Sequence, residues 1–393
     1  MTYQVYQQYG VVPIVNLSRN DITFKTALVR VDFNVPMQNN DIIETIRISS
    51  AKQTIHYLLE NGAGVLLISH LGEPSLQKEE DFSFAKIMNS INQIIECEVY
   101  LLKGKTLKEV QSELALEKDN HRVFLLDNIR FFEGEKINDI NFAHDLINAL
   151  KPDLYVNDAF SVSHREHASM VAVPQLMKQK YIGFTLMHEL HMLESLFLHK
   201  NNEIITAIIG GKKVASKIKV LQNLNVNNLI IVGGMANTFL KAKGLNIGNS
   251  FYEENMLEIA RKIMNQHNVI LPIDFVCEDY SIKNADSIMN HSICDIGQGT
   301  MHNIENIISK SDIILWNGPA GIYENERFCN GSNHIANAIA KHGKISIVGG
   351  GDTVAILNKL NLQSKITHVS NGGGAFIAWL ENKYLPGIKA CAM

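Results

Sequence analysis

Short runs of leucine and β-branched residues alternate along the chain with longer stretches whose apolar positions recur at helical spacing. This is the pattern of strand–helix–strand units feeding a parallel sheet. In the first half the apolar runs predict strands near 27–31, 65–69, 99–102, 123–126 and 154–156, with amphipathic helices over 47–61, 82–96 and 140–150 between them. The second half predicts strands near 204–209, 229–232, 269–271, 313–316, 345–348 and 366–369. Helices are expected to start directly after Gly211, Gly234, Gly351 and Gly374. No repeat of fixed period is visible, so the reading is two similar lobes rather than a solenoid.

Between the halves, Leu186, Leu190, Leu193 and Phe197 fall at helical spacing, and a polar HKNNE stretch follows. Residues 183–203 therefore read as a helix and hinge joining the lobes, with motion concentrated at its ends. Near the C-terminus, Pro386 and Gly387 punctuate LPGIKA and end the preceding helix.

The two halves differ in how their strands stop. In the first, the apolar runs end in charged or amide side chains: Asp32 and Asn34, His70, Arg130, Asn157 and Asp158. In the second they end in glycine: Gly210 and Gly211, Gly233 and Gly234, Gly349 to Asp352, and Gly372 to Gly374. Open parallel sheets bind ligands beyond the carboxyl ends of their strands, so the asymmetry predicts two sites of different chemistry.

Length and composition narrow the classes. A chain of 393 residues exceeds one ordinary core and favours two domains of similar size. With 46% hydrophobic and 19% charged residues it is an ordinary globular sequence, and a net charge of −4 argues against a nucleic-acid partner. Any anion site must then be a local concentration of positive charge. The five cysteines form no CxxC pair and read as reduced thiols. No basic leader precedes an apolar stretch, and no uncharged run approaches the ~18 residues of a membrane span, so no membrane partner and a cytoplasmic location are expected.

Glycine at a strand-to-helix turn lets backbone approach a phosphate, and the free N–H groups of the next helix add donors and partial positive charge. In GGKKVASK, Lys213 and Lys217 lie four apart, on one face of the helix expected there. Two lysines near a helix N-terminus oppose the macrodipole, a cost that an anionic ligand relieves; a solvated lysine face is the alternative. The string is not GxxxxGK[ST], and no GxGxxG occurs, which weakens a dinucleotide reading. In WNGPAGIYE, Asn317 can meet phosphate oxygens and Glu324 can accept from ribose hydroxyls. In GGGDT, Asp352 stands at a helix start, where a carboxylate either caps the helix or holds Mg²⁺ beside phosphates. The cationic candidates of the first half are Arg47, His70, Arg130, His164 and Arg165, and three arginines after separate strands suit a compact trianion. HREH at 164–167 lacks the HExxH order of a zinc site.

Taken in order, RVDFNVP, SHLG-P, NIRF-EGE, YVNDAF with HR-HAS, GGKKV--K, WNGPAGIYE, GGGDT and NGGGA resemble phosphoglycerate kinase from about residue 27 to LPGIKA. The resemblance implies an α/β fold of two Rossmann-like lobes, each a mostly parallel sheet flanked by helices, joined by a hinge helix. Residues 1–182 would bind phosphoglycerate, with the tail 380–393 returning to them, and 204–379 would bind nucleotide. The implied reaction is Mg²⁺-dependent phosphoryl transfer between 1,3-bisphosphoglycerate and ADP, giving 3-phosphoglycerate and ATP, by a monomer that bends at its hinge. Motif by motif, the acid site would be Asp32, Asn34, Arg47, His70, Arg130 and Arg165. The nucleotide site would be Gly211, Lys213, Lys217, Gly234, Asn317, Pro319, Glu324, Gly350, Asp352 and Thr353, with Asp352 on the metal. Arg47, Lys213 and the helix starts at Gly351 and Gly374 would surround the moving phosphoryl.

The chain departs from the family pattern at Glu73, where the family carries arginine, and at Ser163, Ser216 and Asn371. If Glu73 faces the ligand, a lost charge-assisted hydrogen bond weakens substrate binding roughly ten- to a hundredfold; if it turns to solvent or pairs with a lysine, little changes. Two other readings stand beside this one: a homologue with weakened catalysis kept for binding partners, and a nicotinamide dehydrogenase.

Overall fold

The computed structural model describes residues 6–38, 41–74, 79–195, 202–382 and 384–393. The chain divides into two compact units, Met1–His191 with Tyr384–Met393, and Met192–Lys383.

The first unit is built on a six-stranded parallel sheet in the spatial order Tyr100–Leu102, Val123–Leu126, Gly64–Ile68, Thr26–Arg30, Leu154–Asn157 and Lys180–Ile182. Every residue of Val123–Leu126 and Leu154–Asn157 is buried, as a sheet covered on both faces requires. Such strands read as unbroken apolar runs, which is why they were visible in sequence. The chain crosses from one half of the sheet to the other between Thr26–Arg30 and its neighbour Leu154–Asn157, so the crevice beyond their carboxyl ends is the expected ligand site.

The second unit carries a six-stranded parallel sheet in the order Val269–Ile270, Asn228–Ile231, Ile205–Ile209, Ile313–Asn317, Ile345–Gly349 and His368–Ser370. Its switch point lies between Ile205–Ile209 and Ile313–Asn317, both wholly buried. A three-stranded antiparallel sheet, Ile282–Asn284, Asp274–Cys277 and Ile293–Ile296, is added to this unit. The apolar-run pattern had assigned no strand there.

Helix boundaries depart from expectation where side chains compete for backbone groups. The helix predicted over 47–61 is split at Ala51 into Ile46–Ser50 and Lys52–Glu60. Ser49 and Ser50 donate their hydroxyls to the carbonyls of Ile46 and Arg47, a local alternative that tightens the turn. The helix predicted over 82–96 begins as a 3₁₀ turn, Phe84–Ile87, because the Asp127 carboxylate accepts from Phe84 N and Ser83 Oγ and fixes the chain before Met88–Ile95. Ile140–Leu150 keeps its predicted bounds: Asp139 caps it by accepting from Asn141 N at 2.9 Å, and Lys151 ends it in the left-handed conformation.

Helices start at Gly234, Gly351 and Gly374 as expected, but none starts after Gly211. The next helix is Ile218–Asn223, with Lys217 as its N-cap. The amides of Val214 and Ala215 donate to the Glu253 carboxylate, and this contact from a distant segment holds 211–217 as an open loop. Lys213 and Lys217 therefore do not share a helix face.

The segment predicted as connector begins with the helix Phe184–Ser195, and the division between the units falls within it. Leu186, Leu190 and Leu193 are fully buried, while Phe197 lies outside the described residues. Asp158, at the end of a first-unit strand, caps this helix by accepting from Thr185 N at 2.7 Å and from Thr185 Oγ1 at 3.2 Å.

Candidate active site

At the carboxyl end of Thr26–Arg30 the chain places Asp32 and Asn34 beside Arg47. Arg47 Nη1 lies 3.2 Å from Asp32 Oδ2 and donates to the Asn34 carbonyl at 2.7 Å. Ser161 Oγ donates to Asp32 Oδ2, Asn34 N donates to Asp32 Oδ1, and Gly72 N donates to Asn34 Oδ1. Both acidic and amide side chains are thus engaged in holding loops around the cations.

His70 is 2% exposed, with Nδ1 at 3.9 Å from Asp32 Oδ1 and 3.2 Å from Arg30 Nη2. Burial, then the positive charges of Arg30, Arg130 and Arg165, push its imidazole well below the usual range. It is neutral at pH 7, so its contact with Asp32 is no ion pair, and Nδ1 accepts from the Arg30 guanidinium. That fixes the proton on Nε2, which remains a donor for a ligand. His164 is likewise lowered by burial and by Arg165. Grouping these two histidines with the cations is therefore corrected: arginines beside a buried ring disfavour a further charge.

Arg130 and Arg165 meet at Glu73. Arg130 Nη1 is 2.5 Å and Arg165 Nη1 3.6 Å from Glu73 Oε1, while Lys136 Nζ lies 2.6 Å from Oε2. Arg130 also donates to the Gly72 carbonyl at 2.6 Å. All six predicted acid-site residues are thereby brought into one network, and Glu73 lies inside it. Arg30 and Lys136 were absent from the expectation. A charge at the end of an otherwise apolar strand was the available signal for Arg30, which is 1% exposed and donates Nε to Ser169 Oγ.

In the second unit the glycine turns pack against one another. A Cβ on Gly210 would lie 2.2 Å from the Pro319 carbonyl oxygen, and one on Gly233 would lie 2.7 Å from the same atom. They open on a cavity of about 640 Å³, within the range of small-molecule sites. Gly211, Gly234, Pro319, Glu324 and Asp352 line it, as do Phe251, Cys294 and Tyr323, which the glycine pattern could not reveal. The lysine on its wall is Lys212, its ammonium 5.7 Å from the Phe251 ring centroid. Lys213 is exposed on the loop.

Asn317, Gly350, Thr353 and Lys217 stand behind that wall. The Asn317 amide donates to the Gly349 carbonyl at 2.7 Å and accepts from Lys217 Nζ at 2.5 Å, tying three strand ends together. Thr353 Oγ1 accepts from Gly318 N at 2.8 Å. Lys217 Nζ also donates to the carbonyls of Gly210 and Asn317, and burial pushes its ammonium down to about 8 against the pull of Asp352. Ser216 gives it no carboxylate neighbour; its hydroxyl donates to the Lys213 carbonyl instead. Asp352, at the start of Gly351–Lys359, accepts from the Tyr323 hydroxyl at 3.0 Å.

Comparison with known proteins gives the family and the fold. The family model described as phosphoglycerate kinase matches residues 17–383. A phosphoglycerate kinase of Borrelia garinii subsp. bavariensis is 40% identical over 385 residues, covering 94% of this chain and 97% of that protein. One of Chlamydia caviae is 41% identical over 382 residues, covering 92% and 94%. The solved phosphoglycerate kinase of Coxiella burnetii superposes with a TM-score of 0.85 at 34% identity, covering 97% of this chain and 98% of that one. With two parallel six-stranded sheets, an arginine network on one and a glycine-walled cavity on the other, the chain belongs to the phosphoglycerate kinase family.

Proposed function

We infer that this chain is an active phosphoglycerate kinase, moving a phosphoryl group reversibly between the acyl phosphate of 1,3-bisphosphoglycerate and ADP. The observation that carries the reading is the intact network of Arg47, Arg130 and Arg165 with Asp32, Asn34 and His70, in a chain of this family. It favours catalysis over a homologue kept only for binding.

The first unit holds the acid. Arg47, Arg130 and Arg165 pair with carboxylate and phosphate oxygens, and His70 donates from Nε2. The second unit holds the nucleotide. Its cavity takes the base and ribose, with Glu324 accepting from ribose hydroxyls, while the amides at Gly234, Gly351 and Gly374 face the phosphates and Gly211, its own N–H donated to the Pro319 carbonyl, shapes the wall. Lys217 fixes the loops that present those amides, and exposed Lys213 meets the charge that develops on the moving phosphoryl. Asp352 suits Mg²⁺, because a single carboxylate together with phosphate oxygens is an ordinary arrangement for that ion. When bound, the ion would neutralise phosphate charge. Little covalent chemistry is asked of the protein, since in-line positioning and charge stabilisation carry phosphoryl transfer.

The five cysteines are free thiols, which suits the cytoplasm, and we place the protein there as a monomer of 44.0 kDa. Among the described residues no helix is long and apolar enough to cross a membrane. A coupled assay with ATP, Mg²⁺ and 3-phosphoglycerate tests the reading. Turnover is expected, and its absence in a folded sample would refute it.

A further inference from the structure

Glu73 lies where a ligand's oxygen would be expected. Its two carboxylate oxygens take Arg130, Arg165 and Lys136, three cations from three separate segments. The Arg130 side chain is 2% exposed whereas that of Glu73 is 58% exposed. Arg130 Nε is buried without a hydrogen-bond partner. The guanidinium is thus fixed in place with donor capacity to spare, and the carboxylate upon it hangs from a side chain that reaches solvent.

The turn that delivers Glu73 is rigid. Gly72 has φ +57, and a Cβ there would lie 2.3 Å from the Phe82 ring. Its N–H donates to Asn34 Oδ1 and its carbonyl accepts from Arg130. Backbone therefore pins Gly72 beside the cations, and the half-exposed Glu73 side chain can swing its carboxylate away through its own torsions. Against its partial burial, the Lys136 ammonium and the Arg130 and Arg165 guanidiniums hold its carboxyl below the usual value, so it is ionised at neutral pH.

We propose that Glu73 is a built-in anion that occupies the acid-binding patch, and that the incoming substrate must displace it. The inference rests on reading the first unit as the 3-phosphoglycerate site. Two anions cannot share one cation cluster without repulsion. A multivalent acid still gains from three cations that one carboxylate neutralises in part, whereas a monoanion gains little over Glu73. Residue 73 thus sets both affinity and selectivity for multiply charged acids. This differs from a missing arginine with Glu73 turned to solvent, in which a neutral side chain binds no better than glutamate.

The experiment is isothermal titration of 3-phosphoglycerate into the full chain at low ionic strength, for wild type, Glu73→Gln and Glu73→Ala, with turnover measured in parallel. Both variants are expected to bind roughly tenfold tighter, equivalent to about 1.4 kcal/mol, and the gain should fall on KM. Equal or weaker binding in both overturns the proposal while wild-type turnover keeps the functional reading. If no form binds 3-phosphoglycerate or turns over, the functional reading fails and the proposal falls with it.

Discussion

Lys217 joins the charge of a single residue to the behaviour of the nucleotide loops. Burial lowers its ammonium to about 8, from 10.5 in solvent, so the folded chain releases this proton first. Stability should therefore rise with pH between about 8 and 10.5, the window in which only the unfolded chain keeps the proton. Nucleotide binding should move the opposite way, because phosphates favour the ammonium. The Kd for ATP is expected to rise by up to about tenfold per pH unit above pH 8, and to stay flat in Lys217→Met. Lys213, exposed and given the transition-state role, predicts another split. Lys213→Ala should lower kcat by roughly a hundredfold or more, with ATP affinity changed much less. Equal losses in both, by single-turnover kinetics and titration, would remove it from that role.

At the scale of elements, the second site is a packing of turns whose backbones nearly touch. Gly318 has φ +99, and a Cβ there would lie 2.4 Å from the Gly210 carbonyl oxygen and 2.7 Å from Lys217 Nζ. Alanine would add backbone strain to a clash with main chain, so Gly318→Ala should cost about 2–3 kcal/mol. Thermal unfolding should show a Tm lower by roughly 4–10 °C, and an unchanged Tm would show that the loop relaxes freely. The same elements show how far pattern reading reached. Glycines at strand ends marked the helix starts at Gly234, Gly351 and Gly374, because the residue before each, Gly233, Gly350 and Gly373, takes φ of +69, +100 and +49, which side chains rarely adopt. The helix expected after Gly211 failed because Glu253, some forty residues on, captures the amides that would have begun it. Local spacing holds no record of that contact.

For the whole molecule, the last ten residues are part of the first unit's core. Leu385, Ile388 and Cys391 are buried, Gly387 N donates to the Ser163 carbonyl at 2.8 Å, and Asn157 Nδ2 donates to the Gly387 carbonyl at 3.1 Å. Deleting 384–393 should destabilise that unit by about 5 kcal/mol or more, from three apolar side chains and two orphaned polar groups. Both tryptophans, Trp316 and Trp379, belong to the second unit. In urea, the truncated chain should therefore lose ellipticity early while its tryptophan fluorescence keeps the wild-type midpoint. A single shifted transition in both signals would show that the units unfold together.

What the sequence determined by itself was everything set by local chemistry: which runs are strands buried on both faces, where glycine must turn the chain, and which residue types gather at strand ends. The ordered strings from RVDFN to NGGGA carried the family and named most members of the arginine network. Tertiary structure alone decided charge state and pairing. His70 is neutral because its ring is buried and three arginines from separate segments add positive charge nearby, and Asp158 rises to about 7 because burial outweighs the amides it caps. Glu73 takes its place among Arg130, Arg165 and Lys136 for the same reason. Electrostatic energy depends on distance and solvent access, and neither exists until residues far apart in the chain are folded together.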